Sequence, residues 1–196
     1  MNKCPWPNND PLMVAYHDTE WGVPLHDDTK LFEYIVLDAF QAGLNWAMIL
    51  KKRENLRQAF AQYDIDKILS FTPPELDTLV NNTGIIRNRA KINSVFANAL
   101  AFKKIQDEYG SFDKFIWQFT NGKPKVNNWK NMAGLPSSSK ESDMMSLDLK
   151  KRGFKFVGST ICYAFMQAAG MVNDHVVSCY RYREINMLIK QGPANL

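Results

Sequence analysis

The sequence predicts an all-α domain, and three observations predict it. Apolar residues recur at helical intervals through most of the chain, as in Leu31, Phe32, Ile35, Val36 and Phe40. Alternating strand patterns are nearly absent, and the single four-residue candidate, Phe154 to Val157, lies between Gly153 and Gly158. The chain has 196 residues, of which 45% are hydrophobic and 22% charged. That is enough to bury one proper core and too apolar for a disordered tail.

The elements follow in order. A helix is expected over Asp27–Phe40; Gly43 interrupts it, and Asn45–Phe60 resumes the pattern with Lys51-Lys52-Arg53 on its surface. Thr72-Pro73-Pro74-Glu75 combines a cap, prolines in the first turn and a capping-box glutamate, so a short helix runs from there to Val80. After a turn at Gly84, a long helix is expected from about Asn88 to Glu108, and another near Phe112–Phe119. Asn121-Gly122-Lys123-Pro124 reads as a turn. The polar stretch Val126–Ser142 reads as a long surface loop. Helical pattern returns from Ser142, broken at Gly153, Gly158 and Gly170. No repeat or low-complexity block interrupts this order. The expected organisation is one domain over residues 1–196, with a helical core at about 27–170 and a lobe built from about 1–26 and 171–180. The tail beyond it has no reading.

Composition narrows the classes. No apolar run approaches the roughly 20 residues that a bilayer span needs, and Met1–Pro7 lacks the apolar centre of a signal peptide. Three cysteines are an odd and small number, which fits a reducing, cytoplasmic setting. The net charge of +4 is mildly basic and suits an anionic partner on one face. Aromatics reach 12%, and several fall between Trp6 and Trp46.

Two pairs of metal-capable residues stand at opposite ends of the chain: Cys4 and His17, then His175 and Cys179. The spacing of the second pair places both side chains on one side of a helix. Two thiolates and two imidazoles form a tetrahedral zinc set with bonds of about 2.0–2.3 Å, and a closed set of four argues for a structural ion. Such an ion would tie the loop-rich first twenty residues to the last helix. The spacing matches no standard zinc finger, however, and a His/Cys pair at i, i+4 also serves plain packing. The residues alone leave both readings open. Cys162, inside Ile161–Phe165, reads as a core residue, and His26 as a solvated or capping one.

Two hairpins can hold an anion. Leu79 to Ile92 joins a short helix to a long one through Gly84, with Ile86, Arg87, Arg89 and Lys91 beside the second helix's start. Lys150 to Thr160 feeds another helix through Gly153 and Gly158, and the amides of Gly158, Ser159 and Thr160 with Lys155 form a phosphate clamp. Either alone reads first as a helix cap with a solvated basic face. Two in one basic chain favour DNA.

Taken in order, the residues resemble the DNA-3-methyladenine glycosylase I (Tag) family. The matching strings are Asp10-Pro11-Leu12, Tyr16-His17-Asp18, Glu20 to Pro24, Gln41 to Trp46, Leu50 to Arg53, Gly84 to Arg87, Lys151 to Gly158, Thr160 to Tyr163 and Val172 to Val177. The resemblance runs from Cys4 to about Cys179 and implies a helix–hairpin–helix glycosylase core, joined to a lobe where the termini meet around zinc. It places Cys4, His17, His175 and Cys179 on the family's zinc positions. It puts Trp46 and Tyr16 on the walls that stack the base, Trp6 and Trp21 around the same pocket, and Leu44 on the wedge that fills the gap left by a flipped nucleotide. Asp38 falls where the family reads the base edge, and Asp174 is not expected to act as a base. Trp117 and Trp129 are expected in plain packing.

Two positions depart from the family pattern. Asp38 replaces a glutamate, withdrawing the carboxylate by roughly 1.5 Å, and Met13 replaces a tyrosine. The implied activity is excision of 3-methyladenine from alkylated double-stranded DNA, leaving an abasic site, by a monomeric chain with structural Zn2+ and no membrane partner. One rival keeps the fold but changes the lesion or only binds DNA. Another is a zinc hydrolase of small substrates, which would need an open metal position.

Overall fold

The computed structural model describes residues 2–191 and is helical almost throughout. Helix α1 spans Pro11–Thr19, α2 Asp28–Gln41, α3 Trp46–Ala59, α4 Ile65–Leu69, α5 Pro73–Asn81 and α6 Arg89–Tyr109. Then follow α7 at Phe112–Ile116, α8 at Lys140–Lys151, α9 at Ser159–Ala168 and α10 at Tyr180–Gln191. The only strands among the described residues are two residues long: β1, Lys125–Val126, pairs in parallel with β2, Val172–Asn173. Phe154–Val157 forms no strand; Phe156 takes a left-handed backbone there and the segment turns.

Local chemistry sets the helix ends. The side chains of Asp10, Asp27, Asn45, Asn88 and Ser111 each accept from a first-turn amide, at α1, α2, α3, α6 and α7. At α5 the Glu75 carboxylate accepts from both the Thr72 amide and the Thr72 hydroxyl, at 2.7 Å each. The first twenty residues are thus less loop-rich than expected, because Asp10-Pro11 is an efficient helix start.

Helix α2 is the axis of the core. Every residue from Leu31 to Phe40 is buried, so the helix is covered on all sides, chiefly by α3, α6, α7 and α9. Phe32 meets Phe102 edge-on at 5.1 Å, and Phe102 stacks on Phe112 at 4.1 Å. Burial of these rings supplies the main driving force. Cys162 and Trp117 are core residues, and the Trp117 indole donates to the Leu25 carbonyl. His26 is solvent-exposed rather than a cap, and there it pairs with Asp113 at 2.7 Å and stacks on Trp117.

The amino-terminal segment returns to the far end of the core at one tight crossing. The Gly22 and Leu25 amides donate to the carbonyls of Gln167 and Ala169 at the end of α9. Gly170 lies directly against Val23 and Pro24, with a positive φ, and a Cβ there would collide with their backbone. This crossing brings the amino-terminal segment beside the start of α10, where the Tyr180 amide donates to the Asn2 carbonyl.

Candidate active site and metal centre

Cys4, His17, His175 and Cys179 converge into one buried cluster whose ligand atoms all lie within 4.8 Å of one another. The His175–Cys179 pair is not helical. It spans a turn closed by the Cys179 amide on the Val176 carbonyl, immediately before α10. That turn still brings Cys179 Sγ to 3.6 Å from His175 Nδ1, and Sγ is also 3.6 Å from His17 Nε2, as Cys4 Sγ is from His175 Nδ1. Tetrahedral bonds of about 2.0–2.3 Å place neighbouring donors roughly 3.3–3.8 Å apart, so the set fits a metal ion. The outward ring nitrogens are also engaged. His17 Nδ1 donates to Asp18 at 2.6 Å and His175 Nε2 to the Trp21 carbonyl at 2.9 Å, which orients both imidazoles with their other nitrogens inward. The Cys4 thiol, then the two imidazoles, hold the Cys179 thiol well below the ordinary thiol range.

The metal-capable cluster abuts a pocket. Trp6 packs edge-on against the His17 ring at 5.4 Å, and Trp21 against the His175 ring at 4.7 Å. Beyond them lies a cavity of about 210 Å3 that Trp6, Met13, Tyr16, Trp21, Asp38 and Trp46 line together. The local reasons are simple. Met13 and Tyr16 are i, i+3 neighbours on α1, Asp38 and Gln41 are i, i+3 on α2, and Trp46 opens α3. Tyr16 and Trp46 meet at 5.1 Å with their planes inclined by 53°.

The pocket is rich in unmet polar groups. Among the described residues, Trp6 Nε1, Trp46 Nε1, Asp38 Oδ2, Tyr63 Oη and Arg181 Nε are buried without a hydrogen-bond partner, and the first three belong to residues that line the pocket. Burial without a partner costs about 1–3 kcal/mol per group, so three around one cavity make it the candidate binding site. Asp38 is 2% exposed, and burial holds its carboxyl well above the usual carboxylate range. Burial, then Tyr34, Asp38 and Glu20, raises the Tyr16 phenol, which stays protonated. The arrangement can receive a flat group that brings hydrogen-bonding edges of its own.

Part of the wall was not legible in the sequence. Met132 and Leu135, from the stretch expected to be a surface loop, line the pocket beside Gln41, Ala164 and Gln167. The strap that carries them is fastened by Asp174, which is 1% exposed. Its carboxylate accepts from Asn127 and Trp129 on one oxygen and from Tyr163 and Gln167 on the other, all at 2.7 Å. Asp174 is therefore saturated as an acceptor and cannot serve as a base. Trp129 is a fastener rather than a packing residue alone.

The two hairpins differ. At the second, Gly158 precedes α9 without a side-chain cap, leaving the first-turn amides near exposed Lys155 and Thr160. The Ser159 hydroxyl points back to Asp143 and Ser142. At the first, Asn88 already caps α6, and Gly84 is held by Asn82, Asn55 and Lys52. Ile86 is half-buried, Arg87 is exposed, and Arg89 lies 3.7 Å from Asp77. Lys91 is not a phosphate ligand: it is 5% exposed and its ammonium donates to the Phe40 and Ala42 carbonyls at 2.8 and 2.6 Å. An ammonium that is 5% exposed and already engaged by two carbonyls is poorly placed to neutralise a DNA backbone. Leu44 is 37% exposed, on the short loop between α2 and α3. No helix among the described residues is long and apolar enough to cross a membrane.

The sequence matches the methyladenine glycosylase family over residues 6–182. It is 49% identical over 182 residues to DNA-3-methyladenine glycosylase 1 of Escherichia coli, covering 93% of this chain and 97% of that protein. A crystal structure of 3-methyladenine DNA glycosylase I is similar with a TM-score of 0.89 at 47% identity, covering 91% of this chain and 98% of the other. The Staphylococcus aureus 3-methyladenine DNA glycosylase I, whose structure addresses 3-methyladenine recognition, gives 0.88 at 36% identity, covering 92% and 96%. By its matched length and by these relatives, the chain belongs to the methyladenine glycosylase family.

Proposed function

We propose that this protein is a monofunctional DNA glycosylase that hydrolyses the N-glycosidic bond of 3-methyladenine in alkylated duplex DNA. The observation that carries it is the aromatic pocket with one unpartnered carboxyl oxygen and two unpartnered indole N–H groups. An adenine alkylated at N3 is cationic while attached to the sugar, so its bond to C1′ is already weakened. The bond breaks with its electron pair going to the base, which leaves neutral; water adds to the sugar and one proton is released. The protein has only to extract the base and hold it.

The residues divide that work. Tyr16 and Trp46 offer electron-rich faces to a cation. Trp6, Trp21 and Met13 complete the walls, and Asp38 meets the base edge. Its proton departs when a cationic base replaces the missing partner. Leu44 fills the vacated stack, while Lys155, Arg87 and the amides of Gly158, Ser159 and Thr160 hold the backbone. The lining has no lysine, so strand cleavage through a Schiff base has no nucleophile there. We assign Zn2+ to Cys4, His17, His175 and Cys179. Bound there, the ion cross-links the chain ends; all four donors are protein groups and all are buried, unlike the open site a zinc hydrolase needs. The chain acts as a single domain and a monomer, in the cytoplasm.

The test is release of 3-methyladenine from alkylated duplex DNA, against a variant with Trp46→Ala. No release above that variant overturns the proposal. The second reading, a changed lesion preference, is favoured by Asp38 and Met13 meeting in one pocket. If Asp38→Glu with Met13→Tyr creates release where the natural protein has none, that reading replaces the first.

A further inference from the structure

We propose that Lys91 is a positioning residue for base extrusion, a strut that sets the loop carrying Leu44. This rests on the proposed role of Leu44 as the wedge. Lys91 lies in the first turn of α6, yet its ammonium reaches across to the end of α2, to the carbonyl of Phe40 in its last turn and that of Ala42 just beyond it. Those carbonyls have no helical partners, and the negative end of the helix dipole favours a cation there. The chain then makes a sharp turn: Gly43 has φ +75° and the Leu44 amide donates to the Gln41 carbonyl at 2.6 Å. Asn45 caps α3 immediately afterwards. Residues 42–45 are thus a four-residue bridge between two helix ends.

Both abutments of the bridge are fastened to the same hairpin. Lys91 holds the α2 side. On the α3 side, Lys52 Nζ donates to the Thr83 and Gly84 carbonyls at 3.3 and 3.0 Å, and Asn55 Nδ2 to Gly84 at 3.1 Å. The hairpin and the bridge therefore move as one body, and Leu44 projects from it at a fixed height. An exposed leucine on a four-residue loop would otherwise lose force as a wedge, because separating stacked base pairs is costly and a yielding loop cannot hold them apart. Burying an ammonium is costly, and two carbonyls at good distance offset that cost only where the placement matters.

The experiment compares Lys91→Met and Lys91→Arg with the natural protein on a duplex holding 2-aminopurine beside an abasic-site analogue. Wedge insertion unstacks the 2-aminopurine and raises its fluorescence, with no chemistry required. The expected result is a fluorescence response at least fivefold smaller in Lys91→Met and partly restored in Lys91→Arg. The slope of log Kd against log salt should stay unchanged, since no phosphate contact is lost. A slope reduced by about one makes Lys91 a phosphate ligand and overturns the proposal. So does an equal response in all three proteins, or a Lys91→Met protein that no longer melts cooperatively. A natural protein that gives no fluorescence rise removes the wedge and the strut together. One that gives the rise but releases no 3-methyladenine leaves the strut standing and removes the proposed activity instead.

Discussion

Glu33 and Asp38 are two buried carboxyl groups on the same helix, and only Glu33 has cations. Glu33 Oε1 accepts from Arg53 Nε at 2.8 Å and Arg57 at 2.9 Å, while Asp38 Oδ2 meets no donor at all. Burial pushes both upward; for Glu33 the two guanidinium groups outweigh it and its carboxyl sits below the usual range, whereas Asp38 stays well above. One acid is built for stability, the other is left waiting in the pocket.

Removing the waiting acid should stabilise the free protein. The unfolded Asp38 loses its proton near pH 3.9, but the folded one keeps it. Stability is therefore full below that pH and declines as pH rises toward the folded value. Asp38→Asn removes this decline, so at pH 7–8 it should melt a few degrees higher, roughly 1 kcal/mol or more, and the gain should vanish near pH 4. Base release should fall about tenfold to hundredfold with loss of a charge-assisted hydrogen bond. Melting curves at several pH values check the first; a gain independent of pH contradicts it.

Glu33→Gln should do the opposite. Removing the Glu33 charge leaves Arg53 with Glu20 alone and Arg57 without it, a loss of about 1–3 kcal/mol because both guanidinium groups are partly exposed. Glu33 is held low, so its contribution is present above about pH 4.3 and fades as pH falls through the folded value. The deficit of the variant, read by urea denaturation, should shrink in acid.

The metal cluster should carry one zinc per chain, and chelation should unfold the terminal lobe before it affects any chemistry. Trp6 and Trp21 pack on the liganding rings, so the emission of these tryptophans should shift together with metal loss. Cys179→Ser should bind substoichiometric zinc and melt lower. A zinc-free protein with an unchanged melting curve excludes the structural role.

Asp174→Asn presents a donor to Tyr163 and Gln167, where the carboxylate now accepts from both. Stability should drop by about 1–3 kcal/mol, and the strap bearing Met132 and Leu135 should loosen. A rise in KM larger than the fall in kcat is expected, because the wall binds the base without touching the bond that breaks. An unchanged KM, with zinc content intact, shows that the strap is not part of the pocket.

Most helices and their caps are legible in the sequence because they rest on neighbours three or four residues away; α1 falls in a stretch expected to be loop-rich, and α10 in the tail that has no reading. Asp27, Asn45 and Asn88 start α2, α3 and α6, and apolar periodicity carries each onward. The pocket residues Tyr16 and Trp46 were reachable because they sit in strings shared with a family, and Asp38 because it stands where that family carries a longer acid. The turn at His175–Cys179 was misjudged as helix, since i, i+4 spacing suits both geometries and only the metal-capable cluster chooses. Lys91 shows the limit most clearly. Its sequence context, beside Arg87 and Arg89, is that of an exposed basic face; its actual partners, Phe40 and Ala42, lie about fifty residues away.

The sequence by itself determined the helices, the two halves of the metal set and the aromatic character of the site, all properties of residue type and short-range spacing. Tertiary structure alone decided which acid keeps its proton, which lysine is buried and which loop becomes a wall. Those outcomes depend on what stands opposite each group once the chain has closed on itself, and the free energy of a charge or a hydrogen bond is set by that company.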